Sequence, residues 1–296
     1  MSLDNWKNEA IVLASDGLSQ RAISKLLDVP RSTLGDYLKQ HYLKPSIENK
    51  PTKTFSVRKS RDTSNDRVLV ISDLHIPYHH PDSFEFLESL KVKYKPTRVV
   101  CMGDELDQHA LSYHEHDPDL PSAGDELARS LPFIKQLHDI FPKMDVLESN
   151  HGSLIWRKTK TAGIPKHYIK SYNDVLSVGD DWKWSFDLTI ELPDNSKCYF
   201  HHGKSSDVLK LSQQMGMHAI QGHYHEKFKI DYWGNPTGLY WAMQTGCLID
   251  DESYAFNYNN VNIKRPVIGT GVIIDSQPVL EPLIMNSSGR WEKYAK

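Results

Sequence analysis

Val68-Leu69-Val70-Ile71-Ser72-Asp73-Leu74-His75 and Arg98-Val99-Val100-Cys101-Met102-Gly103-Asp104-Glu105-Leu106-Asp107 follow one pattern. In each, a short apolar run stops at Ser-Asp or Gly-Asp, and further acid or imidazole groups follow at once. Runs of this length bounded by turn residues read as buried strands. Polar groups gathered just beyond such strands are where α/β folds keep their chemistry. The pattern recurs at Met144–Leu147, which leads into Ser149-Asn150-His151-Gly152. Between these strands, Ser83–Tyr94 and Glu126–Ile140 carry the apolar spacing of amphipathic helices. Beyond Trp182 the chain reads mostly as β, with a hairpin around Pro193-Asp194-Asn195-Ser196 and strands at 227–232, 239–243 and 267–274. The fold class predicted from this alternation is α/β.

Upstream the pattern changes. Residues 5–42 have helical periodicity broken at Asp16-Gly17 and Asp28-Val29-Pro30, which predicts three short helices. From Lys44 to Arg67 large apolar residues become scarce, and seven basic residues face three acidic ones. That composition predicts a basic tether. The expected organisation is a helical module at 1–43, a flexible basic linker at 44–66 and a catalytic domain at 67–296.

The 296 residues suffice for one large domain or two unequal ones, and 39% hydrophobic content is ordinary for a globular chain. With 35 basic and 38 acidic residues, global charge points to no particular partner. Three cysteines, an odd number without a CxxC pair, argue against a disulfide framework or structural zinc knuckle and suit a reducing cytoplasm. No apolar run approaches the ~18 residues of a membrane span, and the polar start is unlike a signal peptide. Fifteen histidines are the unusual feature, several of them beside Asp, Asn or Gly at strand ends.

Taken in chain order, those ends are Asp73-Leu74-His75, Gly103-Asp104-Glu105-Leu106-Asp107, Ser149-Asn150-His151, His202-Gly203 and Gly222-His223-Tyr224-His225. The series resembles the calcineurin-like metallophosphoesterases, whose pattern is DxH, GDxxD, GNH, His-Gly and GHxH, and the resemblance covers residues 67–296. Each fragment alone is common; five in the right order are not. The resemblance implies a four-layer α/β/β/α sandwich with two divalent metal ions. Asp73, His75 and His225 would hold one ion, Asn150, His202 and His223 the other, and Asp104 would bridge them. Imidazole and carboxylate donors without thiolate suit Mn, which is expected, and also Fe, Ni or Zn. Such a pair of ions clamps a phosphate and activates water for in-line attack. His151 would protonate the leaving oxygen, and Asp107 would hydrogen-bond and orient His151. Neighbours on a strand face opposite ways, so His201 and His202 cannot both point inward. The family sets its ligand before Gly, which selects His202. His79, His80, His114 and His116 read as solvent-facing loop residues near the substrate.

Two positions depart from the family pattern. Ser149 stands where Gly is usual, which negative φ would tolerate. Gln108-His109 stands where protein phosphatases of the superfamily carry Arg-Gly, which favours diesters over phosphoproteins.

The stretch Ser19–Leu38 resembles the helix-turn-helix of resolvase-type and repressor DNA-binding modules. Ile23, Leu27, Val29, Leu34 and Tyr37 fall at its buried positions, and Asp28 sits at the turn where Gly is usual. By that resemblance Arg31, Ser32 and Thr33 would open a recognition helix and Lys39 would lie near a phosphate. Basic and acidic residues are equal in number from Met1 to Tyr42, so such a module would bind DNA weakly without help from the linker. A protein-docking module fits the same residues. C-terminal aromatics such as Tyr232, Trp233, Tyr240, Trp241, Tyr254, Phe256 and Tyr258 read as sheet packing before base stacking.

The expected function is metal-dependent phosphoester hydrolysis, most simply of a phosphodiester in DNA. The alternative is a nucleotide or other small-molecule phosphoesterase whose helical module only localises or oligomerises it. A non-enzymatic DNA-binding regulator is the third reading.

Overall fold

The computed structural model describes residues 5–41, 64–113, 119–250, 252–253 and 264–293. The chain divides into two compact units, Met1–Ser60 and Arg61–Lys296.

In the first unit three helices, α1 (Asn5–Ser15), α2 (Gln20–Leu27) and α3 (Arg31–His41), surround a small core. Ala10, Ile23, Val29, Leu34 and Leu38 are buried in it, with Leu27 at its margin. Tyr37, expected inside, is only partly buried; it packs edge-on against Trp6 at 5.2 Å. Ser19 caps α2 by accepting from the Ala22 amide, and Asp28 ends it in the left-handed conformation (φ 51°). Asp tolerates that region better than most residues. Arg31, Ser32, Thr33 and Lys39 are exposed, as is Asp36. Most of the expected linker lies outside the described residues. Asn65 and Asp66, at its end, are bonded into the second unit: Asn65 Nδ2 donates to the Glu191 carbonyl at 2.8 Å, and Asp275 N donates to the Asp66 carbonyl.

The second unit is built on two facing sheets. In one, β1 (Arg67–Ile71), β2 (Arg98–Cys101), β3 (Met144–Leu147) and β4 (Trp182–Ser185) run parallel. There β10 (Gly269–Ile274) and β11 (Gln277–Pro282) extend the β1 edge antiparallel. The other sheet has the order β5-β6-β7-β9-β8, from β5 (Leu188–Glu191), β6 (Lys197–His201), β7 (His218–Gln221), β8 (Phe228–Asn235) and β9 (Gly238–Thr245).

Strand alternation explains the layers. Val68 and Val70 of β1 turn toward Phe200, Ile220 and Met243 of the second sheet. Leu69 and Ile71 turn the other way, onto α4 (Ser83–Tyr94) and α5 (Ala123–Ile140). On the far side Tyr199 and Ala219 pack against Leu211 of α8 (Val208–Met215). The architecture is therefore α/β/β/α, the four layers that the family resemblance implies. Two shorter helices, α6 (Leu154–Thr161) and α7 (Tyr172–Leu176), join β3 to β4. Among the described residues no helix is long and apolar enough to cross a membrane.

Candidate metal centre

Five loops converge at the carboxyl ends of β1, β2, β3, β6 and β7. Because β1, β2 and β3 are mutually parallel, as are β6 and β7, their polar ends gather at one edge of the sandwich. Three sets of side chains have ligand atoms within 4.8 Å of one another: Asp73, His75 and His225; Asp104, His202 and His223; and His75, Asp104 and His151. Asn150 joins the second, its Oδ1 lying 2.7 Å from His202 Nε2. Every ligand position expected from the sequence thus lies in one place. His202 points into the cluster. Its neighbour His201 faces away, its ring 5.0 Å from that of Phe186.

The donors fit divalent cations. Imidazole Nδ1 of His202 lies 2.9 Å from the Met102 carbonyl, so it must carry the proton. In a neutral ring the Nε2 lone pair then faces only acceptors, Asn150 Oδ1 and Asp104 Oδ2, the latter at 3.1 Å. His75 repeats the arrangement. Its Nδ1 donates to Asp107 Oδ1 at 2.7 Å, while Nε2 faces His225 Nε2 at 3.2 Å and Asp104 Oδ2 at 3.5 Å. Converging lone pairs require a proton or a cation between them, and ligating imidazoles ordinarily anchor their other nitrogen in this way. Burial pushes the His202 and His75 rings down, but Asp104 opposes it at His202, and Asp107 and Asp104 at His75, leaving the rings at about 9 and about 8. Burial pushes the Asp104 carboxyl up, yet His202, His151 and His75 together hold it well below the carboxylate range. Asp73 is raised by its own burial. His223 and His225 are lowered by burial and by neighbouring imidazoles.

Backbone geometry is unusual where the ligands sit. Asp73, His75, Asp104 and His223 all have φ between 49° and 68°, a region that non-glycine residues enter only when the surroundings compel them. The glycines of the motifs make room: a Cβ on Gly103, at φ +97°, would lie 2.6 Å from Ser149 Cβ. A Cβ on Gly222 would collide with Ser72 Oγ and the Asp73 carboxylate.

Ser149 is a participant that the sequence reading treats only as a tolerated substitution. Its φ is negative, and its Oγ accepts from the amides of Asp104 and Gly152, each at 3.0 Å. It thereby ties the loop after β2 to the loop carrying Asn150 and His151. A serine directly before Asn150 was the available signal. Gln244, buried beneath the site and donating to the Gly222 carbonyl, had none.

Asp107 differs from expectation in its partner. Its Oδ1 bonds His75, whereas His151 Nδ1 meets the Asp107 main-chain carbonyl. The Ile76–Leu106 bridge and the Asp107 amide bond to the Ile76 carbonyl set this loop beside the His75 loop, which turns the carboxylate that way. Gln108 Nε2 donates to the Tyr172 hydroxyl at 3.0 Å. His79 and His80, expected at the solvent, are buried. The Leu248 carbonyl accepts the His80 amide, and a His79–Ile249 bridge holds the loop down. The His79 ring packs edge-on between Phe84 and Phe133. His114, His116, Tyr254, Phe256 and Tyr258 lie outside the described residues. Trp233 and Tyr240 stack as a cross-strand pair at 4.6 Å, and Trp241 is buried between the sheets, whereas Tyr232 is exposed.

No protein-family model matches the chain, and no curated protein matches it. Among solved structures it is similar to Vacuolar Protein Sorting 29 from Cryptosporidium parvum, at 14% identity and a TM-score of 0.39, covering 73% of this chain and 95% of that one. It is also similar to Vps29 of Chaetomium thermophilum, at 12% identity and a TM-score of 0.38, covering 78% and 94%. Pseudomonas putida nuclease MPE matches at 11% identity and a TM-score of 0.32, covering 74% and 92%. At such distances the functional argument rests on the side chains.

Proposed function

We propose that this chain is a phosphoester hydrolase that works with two divalent ions and acts best on phosphodiesters, DNA among them. One observation carries the reading: two anchored imidazoles, His75 and His202, aim their free nitrogens at the same carboxylate, Asp104. Asp73, His75 and His225 would hold one ion, Asn150, His202 and His223 the other, with Asp104 shared. When bound, such ions polarise a phosphoryl oxygen and supply a nucleophile from water at neutral pH.

The chain's own groups do the rest. His151 lies against His75 with ring centroids 4.6 Å apart, and its Nδ1 is tied to the Asp107 carbonyl, leaving Nε2 to hand a proton to the leaving oxygen. Ser149 holds the His151 loop against Asp104. Gln108 stands where the superfamily's protein phosphatases carry Arg, and its amide is bonded to the Tyr172 hydroxyl, so it supplies no cation for a dianionic monoester, which favours the singly charged diester. Arg31, Ser32, Thr33 and Lys39 are exposed on α3 and suit contact with DNA. Charge balance in the helical module favours the second reading, a small-molecule phosphoesterase that the module merely localises.

A hydrolysis panel with added Mn tests this, using a chromogenic diester, a chromogenic monoester, and single- and double-stranded DNA. Diesters should be preferred, activity should need added metal, and Asp104→Asn should nearly abolish it. Full activity in excess chelator overturns the metal reading, and preference for the monoester overturns the substrate class.

A further inference from the structure

From Gly152 to Asn173 the chain has no acidic residue but carries Arg157, Lys158, Lys160, Lys166 and Lys170, in a protein of net charge −3. This cationic stretch begins where the metal centre ends, since α6 rises directly from the loop bearing Asn150 and His151. Among the described residues none of the five closes an ion pair with a carboxylate. Four of them gather over rings instead. Arg157 and Lys158 lie 4.9 and 4.2 Å from the Tyr113 ring centre, and Lys160 and Lys166 lie 5.5 and 5.9 Å from that of Trp156. Tyr113 is 53% exposed and Tyr168 75%.

Beside this segment opens a cavity of 610 Å³, within the usual range for ligand pockets. Ser149, Gly152 and Ser153 line its end nearest the metal loops, and Trp156, Tyr172 and Trp184 add aromatic surface. Glu148, Asp174 and Asp180 border it too, and Lys166 and Lys170 line it from the cationic segment, so the cavity joins carboxylate acceptors to the phosphate-holding side chains. A nucleobase suits such a space: its faces stack on indole, and its N–H groups, the ring N3–H of thymine among them, donate to carboxylates.

We propose that 154–170 is the strand-binding face of the catalytic unit. Single-stranded nucleic acid lays its phosphates along Arg157, Lys160, Lys166 and Lys170 and places a base in the adjoining cavity against Trp156. Paired bases are stacked on one another and present no free face, so single strands are preferred to duplex. The inference deepens the phosphodiesterase reading by naming what positions its substrate.

The test is binding by the full chain in EDTA, where nothing is hydrolysed, so its result and that of the hydrolysis panel stand apart. Anisotropy of a fluorescein-labelled oligothymidylate is followed across a salt series. Arg157→Gln/Lys160→Gln/Lys166→Gln should weaken binding roughly tenfold or more and flatten the slope of log K against log salt by about two. A charge-matched control on exposed lysines elsewhere, Lys143→Gln/Lys183→Gln/Lys197→Gln, should bind as the parent does. Lys166→Gln/Lys170→Gln, which leaves α6 untouched, should give a smaller loss of the same kind. Trp156→Leu should erase most of the parent's preference for oligothymidylate over an abasic strand of equal length. Parent-like slopes in both lysine variants, a base preference surviving Trp156→Leu, or tighter binding to phosphatidylserine vesicles than to the oligonucleotide would each overturn the proposal.

Discussion

The Asp107 carboxylate belongs to His75: Oδ1 is 2.7 Å from His75 Nδ1 and 3.7 Å from His151 Nδ1. This makes Asp107 a positioning residue for a metal ligand first and a neighbour of the proposed acid second. Asp107→Asn should therefore weaken metal binding, by roughly 10- to 100-fold if it behaves like other partners of ligating histidines. Titrating Mn into the chelator-treated variant checks this. Unchanged Mn affinity together with an altered leaving-group dependence would return Asp107 to His151.

His151→Ala removes the proposed proton donor while sparing the seven candidate ligands. Metal affinity should hold, and the rate should fall by roughly 10²-fold or more on esters with poor leaving groups. Nitrophenolate leaves without a proton, so its esters should suffer much less. Equal losses on both substrates would remove His151 from the role of acid.

Ser149→Ala leaves two loop amides, those of Asp104 and Gly152, without an acceptor. An unsatisfied buried donor costs ~1 to 3 kcal/mol, so urea unfolding should report a loss of about that size. Loosening of the His151 loop should lower turnover as well. A variant as stable and active as the parent would show that the hydroxyl is dispensable.

Acid sensitivity should arise partly at Asp82, which follows His75 by seven residues and is bonded to the C-terminal segment. Its Oδ2 accepts from Arg290 Nε and from the Trp291 amide, each at 2.8 Å, pinning the last described segment to the start of α4. Arg290 holds the carboxyl at about 2, below its ordinary 3.8. A depressed carboxylate stabilises the fold above the unfolded-state value and loses that contribution as pH falls through the folded one. The pair should thus support stability fully above about pH 4 and lose it between about pH 4 and 2. Urea midpoints compared at those pH values should fall less steeply for Asp82→Asn than for the parent; parallel curves would show that the pair contributes nothing.

Removing the helical module separates its role from catalysis. A fragment from Arg61 to Lys296 keeps every candidate ligand and the Asn65 anchor, so its rate on a small diester should be nearly unchanged. If α3 recruits duplex DNA, the fragment should bind duplex more weakly and with a flatter salt dependence. Equal duplex binding across the salt series would leave the module a localising or docking role.

The order of the polar motifs was legible in the bare chain because each is local. An apolar run, a turn and a pair of donors occupy a few consecutive residues, and strand polarity alone carries Asp73, Asp104, Asn150, His202 and His223 to one edge. The same locality made the α/β class readable, whereas the four layers came from the family resemblance, and the packing of Val68 and Val70 on one side of β1 and Leu69 and Ile71 on the other realises them. What no local pattern contains is the identity of a partner supplied by another loop. Asp107 lies near His75 and His151 alike, and only the Ile76–Leu106 bridge decides between them. His79 and His80 look like solvated loop residues until the segment around Leu248 closes over them. No sequence motif marks the cations of α6; packing sets them beside Tyr113, Trp156 and a cavity against the metal loops. Residue type and spacing thus determined the α/β class and the polar strand ends, through short-range geometry, and the order of those ends carried the resemblance that implied the layers and the donor set. Hydrogen-bond partners, burial and the cationic face were decided by long-range packing, which depends on every layer at once.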